Sequence, residues 1–178
     1  MTRIREYSIV GCGYVALAIF FTYPLIRHLQ THIIHGAVNF GRGDAGSFLW
    51  WPWWLKKAIF ELGVWPTTTD YLYYPDGVNL MHGIENLTNS ILGVLLSFFL
   101  NPVTGYNVLI LFSIAASASA AYLFLRFLLG TQTSRSAAFL GGIIYGMSPY
   151  LLARTQGHLN LYDRRMAASL FSFLLQSH

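Results

Sequence analysis

"ILGVLLSFFL", residues 91–100, is the stretch on which the fold turns. It is apolar almost throughout, but Asn86 and Asn89 mark its start and Asn101-Pro102 its end. Counted from Leu87 it has fourteen residues, short of the ~20 that a helix needs to cross a ~30 Å hydrocarbon core at 1.5 Å per residue. A segment of this length reads as interfacial or re-entrant.

The neighbouring runs give that reading its consequence. Residues 8–26, "SIVGCGYVALAIFFTYPLI", carry no charge over nineteen positions and form the first expected span. Arg3 and Arg5 precede it, and cytoplasmic flanks carry the excess of Lys and Arg, so the N-terminus is expected in the cytoplasm. The apolar part is too long for a signal peptide and no small-residue cleavage site follows, which makes it an uncleaved anchor. Residues 105–129 form a second span, with Arg126 close enough to its end to snorkel. Its centre, "AASASAA" at 115–121, is all small residues and is expected to pack on another helix. Residues 136–153 form a third, with Gly142 and Gly146 at small-xxx-small spacing and Pro149 in its last turns. Arg126 and Arg135 bracket the turn between the last two spans and place it in the cytoplasm. A crossing by 87–100 would put that turn outside. Length and charge therefore agree that residues 27–104 form one extracytoplasmic loop.

Composition fits that architecture. The 178 residues are 54% hydrophobic, 16% aromatic and 10% charged, against roughly 25% charged in soluble domains, and the mean hydropathy is +0.48. The expected fold class is all-α integral membrane, a multi-pass helical bundle in a bacterial inner (plasma) membrane. The net charge of +4 is spread over eleven Lys and Arg that flank apolar runs. They form no basic stripe, so nucleic acid is not an expected partner, whereas membrane lipids are. Cys12 is the single cysteine, which excludes a disulfide framework.

The long loop carries the chemistry. Within it, 47–62 and 87–100 are expected to be membrane-lying helices. Trp50, Trp51, Trp53 and Trp54 followed by Lys56 and Lys57 suit aromatic rings at headgroup depth and ammonium groups near phosphates. Just before them, "FGRGDAG" sets Asp44 among glycines. Asp44 reads either as a carboxylate with a chemical task or as the N-cap of the helix near Ser47, because Asp is a favoured cap. Further on stand Asp76, Asn79 and His82, and past the third span "RTQGHLNLY" supplies Arg154, His158 and Asn160.

A cytoplasmic N-terminus, one span and a large outer loop with a lone early Asp and juxtamembrane helices resemble the GT-C superfamily of integral-membrane glycosyltransferases. "NPVTGYNVLILFSIAASASAAYLFLRFLLG" and "AAFLGGIIYGMSPYLLARTQGHLNL" are similar to that superfamily's second and third spans and second outer loop. The resemblance covers residues 8 to about 162 and is one of pattern and order. It implies a lipid-linked sugar donor on a polyprenyl phosphate and assigns Asp44 as catalytic base or metal-binding acid. Asn79, His82, Arg154 and His158 are then substrate-binding candidates. A divalent metal ion is a candidate cofactor, with Asp44 and Asp76 as its candidate ligands, although two acids without tight spacing make ordinary loop hydrogen bonding the commoner outcome.

Members of that superfamily commonly have more spans than three. After Leu161 a charged triplet precedes only about ten apolar residues, too few to cross, and residues 154–178 read as an outer loop with a truncated tail. The expectation is the N-terminal part of such an enzyme. Two other classes compete with it. One is a transporter or flippase fragment, suggested by the small-residue helix faces and a re-entrant 87–100. The other is a non-catalytic membrane assembly subunit, which needs only partner membrane helices for the glycine and alanine faces.

Overall fold

The computed structural model describes residues 3–34, 45–81, 87–130 and 134–157. In chain order these form α1 (Arg3–Phe21), a 3-10 turn (Leu25–Arg27), α2 (Ala45–Lys56) continued by a π turn (Lys57–Leu62), β1 (Thr68–Thr69), β2 (Val78–Asn79), α3 (Leu87–Leu96), α4 (Pro102–Leu128), α5 (Arg135–Gly146) and α6 (Pro149–Arg154). The chain is mostly helical. Among the described residues three segments are long and apolar enough to cross a membrane: Ile4–Phe21, Pro102–Leu128, and Arg135–Arg154 taking α5 and α6 together.

Their boundaries follow local chemistry. The first helix starts at Arg3 and stops at Phe21, five residues earlier at each end than the expected 8–26. It stops because Thr22 folds its hydroxyl back on the Ala18 carbonyl at 2.8 Å and Pro24 supplies no N–H. Three later helices begin on side-chain caps. Asn101 Oδ1 accepts from Thr104 N at 2.8 Å, Ser134 Oγ from Ala137 N at 3.1 Å and Ser148 Oγ from Leu151 N at 3.4 Å, with Pro102 and Pro149 at first helical positions. The expected 136–153 span is thus two helices, broken at Met147–Ser148 where Pro149 begins α6.

The core of the bundle lies on α4, which packs most extensively on α5 and next on α1. From α1 a stripe at four-residue spacing turns inward: Glu6, Tyr14, Ala18 and Thr22 are buried, with Val10 packed beside them. Tyr14 stacks on Phe139 at 4.7 Å between centroids and donates its hydroxyl to the Phe139 carbonyl at 3.0 Å. The small centre of α4 is consumed within the chain. A Cβ built on Gly146 would stand 2.6 Å from the Ala118 Cβ, and one on Gly142 would meet Tyr14 Oη and the Ala118 carbonyl oxygen. Close helix approach at small residues is how apolar helices associate where lipid gives no hydrophobic reward. The opposite faces of α1 and α5 present Ile4, Phe20 and Ile144 outward.

The two ends of the bundle are pinned separately. At one, Glu6 of α1 meets Arg126 of α4 and Arg135 of α5. At the other, Asn107 near the start of α4 is fully buried and its amide donates to the carbonyls of Leu29 at 2.9 Å and His32 at 2.7 Å, just past α1. Helix α1 therefore runs antiparallel to α4, and the chain between them leaves and rejoins the bundle at the same end. Gly146→Val should force α4 and α5 apart and cost about 1–3 kcal/mol, seen as a lower melting temperature in detergent. Gly11→Ala, where nothing lies within 4 Å of the new Cβ, should leave the melt unchanged or raise it.

Candidate functional site

The chain between the first two spans folds as a layer on the Asn107 end of α4. In α2 the ring of Pro52 meets Gly93 of α3, where a Cβ would come within 2.6 Å of Pro52 Cγ, so the two short helices cross at the one residue that leaves room. Ala45, the first residue of α2, is buried in the main core. The tryptophans have packing partners within the chain. Trp54 is buried, stacks on Trp50 at 5.9 Å and donates its indole N–H to the Pro66 carbonyl at 3.1 Å. With Ala58, Leu72, Val78 and Leu80 it forms a second small core that holds the β1–β2 hairpin on α2. An interfacial cluster was the expectation from sequence; its role as the hairpin's anchor was not legible there.

That hairpin presents polar side chains. β1 and β2 pair antiparallel, Thr68 with Asn79 and Thr69 with Val78. Gly77 has φ +70° and lies where a Cβ would approach the Thr69 carbonyl oxygen at 2.8 Å, so the turn admits only glycine there. Asp70, Asp76 and Asn79 line a pocket of about 540 Å³ with Trp65 and Thr68. Asn79 uses its Oδ1 to accept the Met81 N–H at 2.9 Å, and Asp76 is exposed in the turn. The structure thus brings Asp76 and Asn79 to one pocket.

Arg154 ends α6 with its guanidinium 5.0 Å from the Tyr150 ring centroid. Its neighbours Ala153 and Thr155 line a different cleft, of about 600 Å³, shared with Thr22, Pro24 and the paired rings of His28 and His32. The sequence reading missed this cleft; three histidines within eight positions, 28, 32 and 35, were its available signal. Asp44, His82, His158 and Asn160 lie outside the described residues. Among the described residues no group of three or more His, Cys, Asp or Glu is arranged to hold a metal ion.

The lysines after the tryptophans differ in their free capacity. Lys57 is hydrogen-bonded to Glu61 at 3.0 Å, and that carboxylate holds the ammonium above the ordinary lysine range. Its charge is already balanced at an exposed surface. Lys56 has no acid partner among the described residues: Nζ donates to the Ser97 carbonyl at 2.9 Å and lies 4.7 Å from the Phe98 ring centroid. Of the two lysines, Lys57 is balanced by a carboxylate and Lys56, among the described residues, is not.

At the far end, Glu6 is a buried acid that the sequence reading did not single out. Arg135 Nε stands 2.9 Å from Oε2, Arg126 Nε 3.8 Å from Oε1, and the Tyr122 hydroxyl donates to Oε1 at 2.5 Å. Two guanidiniums and a phenol satisfy one carboxylate, which is what a charge removed from water requires. Glu6→Gln should lower the melting temperature in detergent, as should Arg135→Gln. The double variant should lose less than the sum of the two; additive losses would show that the pair is not coupled.

No protein-family model, curated protein or solved structure matches the chain.

Proposed function

We propose that the chain is the N-terminal portion of a membrane glycosyltransferase of the GT-C kind, a multi-pass protein of the bacterial plasma membrane that takes its sugar from a polyprenyl phosphate. Its N-terminus is cytoplasmic and residues 27–104 are its first outer loop. One observation carries the reading. The Glu6 and Asn107 contacts make α1 and α4 antiparallel, so the long intervening segment starts and ends at the same end of the bundle, which supports a single outer loop bearing the polar hairpin, Lys56 and the sequence position of Asp44. The start of α4 and the Thr22–Ile34 cleft against α6 are at that same end.

The chemistry asks for a base at the membrane surface. As an acceptor hydroxyl attacks the anomeric carbon, the Asp44 carboxylate takes its proton, the bond from that carbon to the phosphate oxygen breaks, and polyprenyl phosphate leaves with its electron pair. Inversion follows from attack opposite the leaving group. Lys56 and Arg154 supply positive charge for the departing phosphate, and Asn79 and Asp76 offer hydrogen bonds to sugar hydroxyls. His82 and His158 remain candidates for the same task. A divalent ion, where used, would draw on Asp44 and Asp76 and would also stabilise the leaving phosphate.

The rival reading as an assembly subunit draws on small-residue faces in search of a partner. Those faces are filled inside the chain, Gly142 and Gly146 by Tyr14 and Ala118, and so make no demand for one. In membranes carrying the protein, Asp44→Asn should reduce release of polyprenyl phosphate from a polyprenyl-phosphate sugar by at least ~100-fold, the scale of a lost general base, with membrane insertion intact. Turnover retained at the parental level would overturn the assignment.

A further inference from the structure

The chain just past α1 brings two imidazoles together. His28 and His32 are both exposed and both line the cleft of about 600 Å³ that this segment forms with α6. Their alignment comes from the backbone. The His32 N–H donates to the His28 carbonyl at 3.0 Å, a single helical turn, and residues four apart on such a turn share a face. The turn is held from inside the bundle, where the buried Asn107 amide donates to the carbonyls of Leu29 and of His32 itself. The rings therefore stand side by side on a fixed backbone, with centroids 4.8 Å apart and planes tilted by 58°.

That spacing is the one a shared metal ion imposes. Two ring nitrogens ~2.0–2.1 Å from one ion, each ~1.1 Å from its ring centre, put the centres roughly 4.5–5.2 Å apart for angles between a square and a tetrahedral corner. The observed separation falls inside that range. A neighbouring hydroxyl orients one of the rings, since Thr31 Oγ1 lies 2.8 Å from His32 Nδ1. When Nδ1 donates to Thr31, Nε2 carries the lone pair that a metal needs, and such an outer contact is how metal-binding imidazoles are held in place. Charge does not oppose an ion here. No Lys or Arg is in the cleft lining among the described residues, and the guanidinium of Arg27, next in the chain, lies 5.1 Å from the Tyr23 ring centroid.

We infer that His28 and His32 form a two-imidazole site for a divalent transition metal ion of the Zn²⁺ kind. Two protein ligands leave positions for water or for an anionic oxygen brought into the cleft. Imidazole suits Zn²⁺, Cu²⁺ and Ni²⁺, whereas carboxylates suit Mg²⁺ and Mn²⁺, so this site differs in ligand type from an ion on Asp44 and Asp76. The inference stands on this turn alone and holds whether or not the chain transfers sugars.

The test is isothermal titration calorimetry with Zn²⁺ on the full chain, purified in detergent without a polyhistidine tag and stripped with a chelator. His28→Ala and His32→Ala should each weaken the tightest binding event about 100-fold, the scale by which linking two sites raises affinity over one. Because both side chains are exposed, the melting temperature of the metal-free protein should not change. Mg²⁺ in large excess should not compete. With Cu²⁺ in place of Zn²⁺, the electron paramagnetic resonance spectrum of the parental protein should show splitting from two nitrogens, a readout independent of any variant. Parental Zn²⁺ affinity in either histidine variant would overturn the inference, as would displacement of Zn²⁺ by Mg²⁺ or a Cu²⁺ spectrum with any other number of nitrogens.

Discussion

A carboxylate carried into an apolar helix must be met by positive charge or hydrogen-bond donors, and the place where that happens fixes the helices that provide them. Glu6 is met by Arg126 and Arg135, one from each arm of the α4–α5 hairpin, and by Tyr122. The contact therefore does more than neutralise a charge. It ties the first helix to both others at one end and sets the direction of α1. The stripe from Val10 to Thr22 then meets α4 and α5 in register, with Tyr14 seated over Gly142. Small residues allow that seat, since a side chain on Gly142 or Gly146 would occupy space already filled.

The opposite end is organised by an amide. Asn107, without access to solvent, takes up the carbonyls of Leu29 and His32, which no helix satisfies. The buried amide of Asn107 needs such acceptors, and here they also draw the exit from α1 to the entry of α4. Everything built between those two points must stand on that end. Its order is nested: α2 lies on α3 and α4, Trp54 ties the hairpin to α2, and the hairpin carries Asp70, Asp76 and Asn79. The polar residues are thus positioned by an aromatic core of their own.

The apolar runs of roughly spanning length were plain in the sequence, because length and absence of charge are properties of a run taken by itself. So was the short character of the segment after Leu87, which appears as a ten-residue helix ending at Leu96. The exact first span was harder to read. Arg3 to Tyr7 look like a polar flank, and only the distant Arg126 and Arg135 make Glu6 a helix residue with an inward side chain. Asn107 was equally hidden, as its importance lies in what it faces across the fold. Among the candidate site residues, Asp76 and Asn79 share a pocket because the hairpin register sets Thr68 beside Asn79. Arg154 is absent from that lining and its neighbours Ala153 and Thr155 line another cleft, a separation that linear spacing does not encode.

The proposed chemistry depends on which side of the membrane each end of the bundle meets, since a lipid-linked donor is reached from the side that bears the first loop. The central claim is that Ser47, at the start of α2, and Ser134, between α4 and α5, lie on opposite sides, with Ser47 outside. Single cysteines at these two exposed positions, in a Cys12→Ala background, would be treated in intact cells with a membrane-impermeant maleimide and again after lysis. The account predicts labelling at 47 in intact cells and at 134 only after lysis. Labelling at both positions in intact cells, or protection of both, would contradict it.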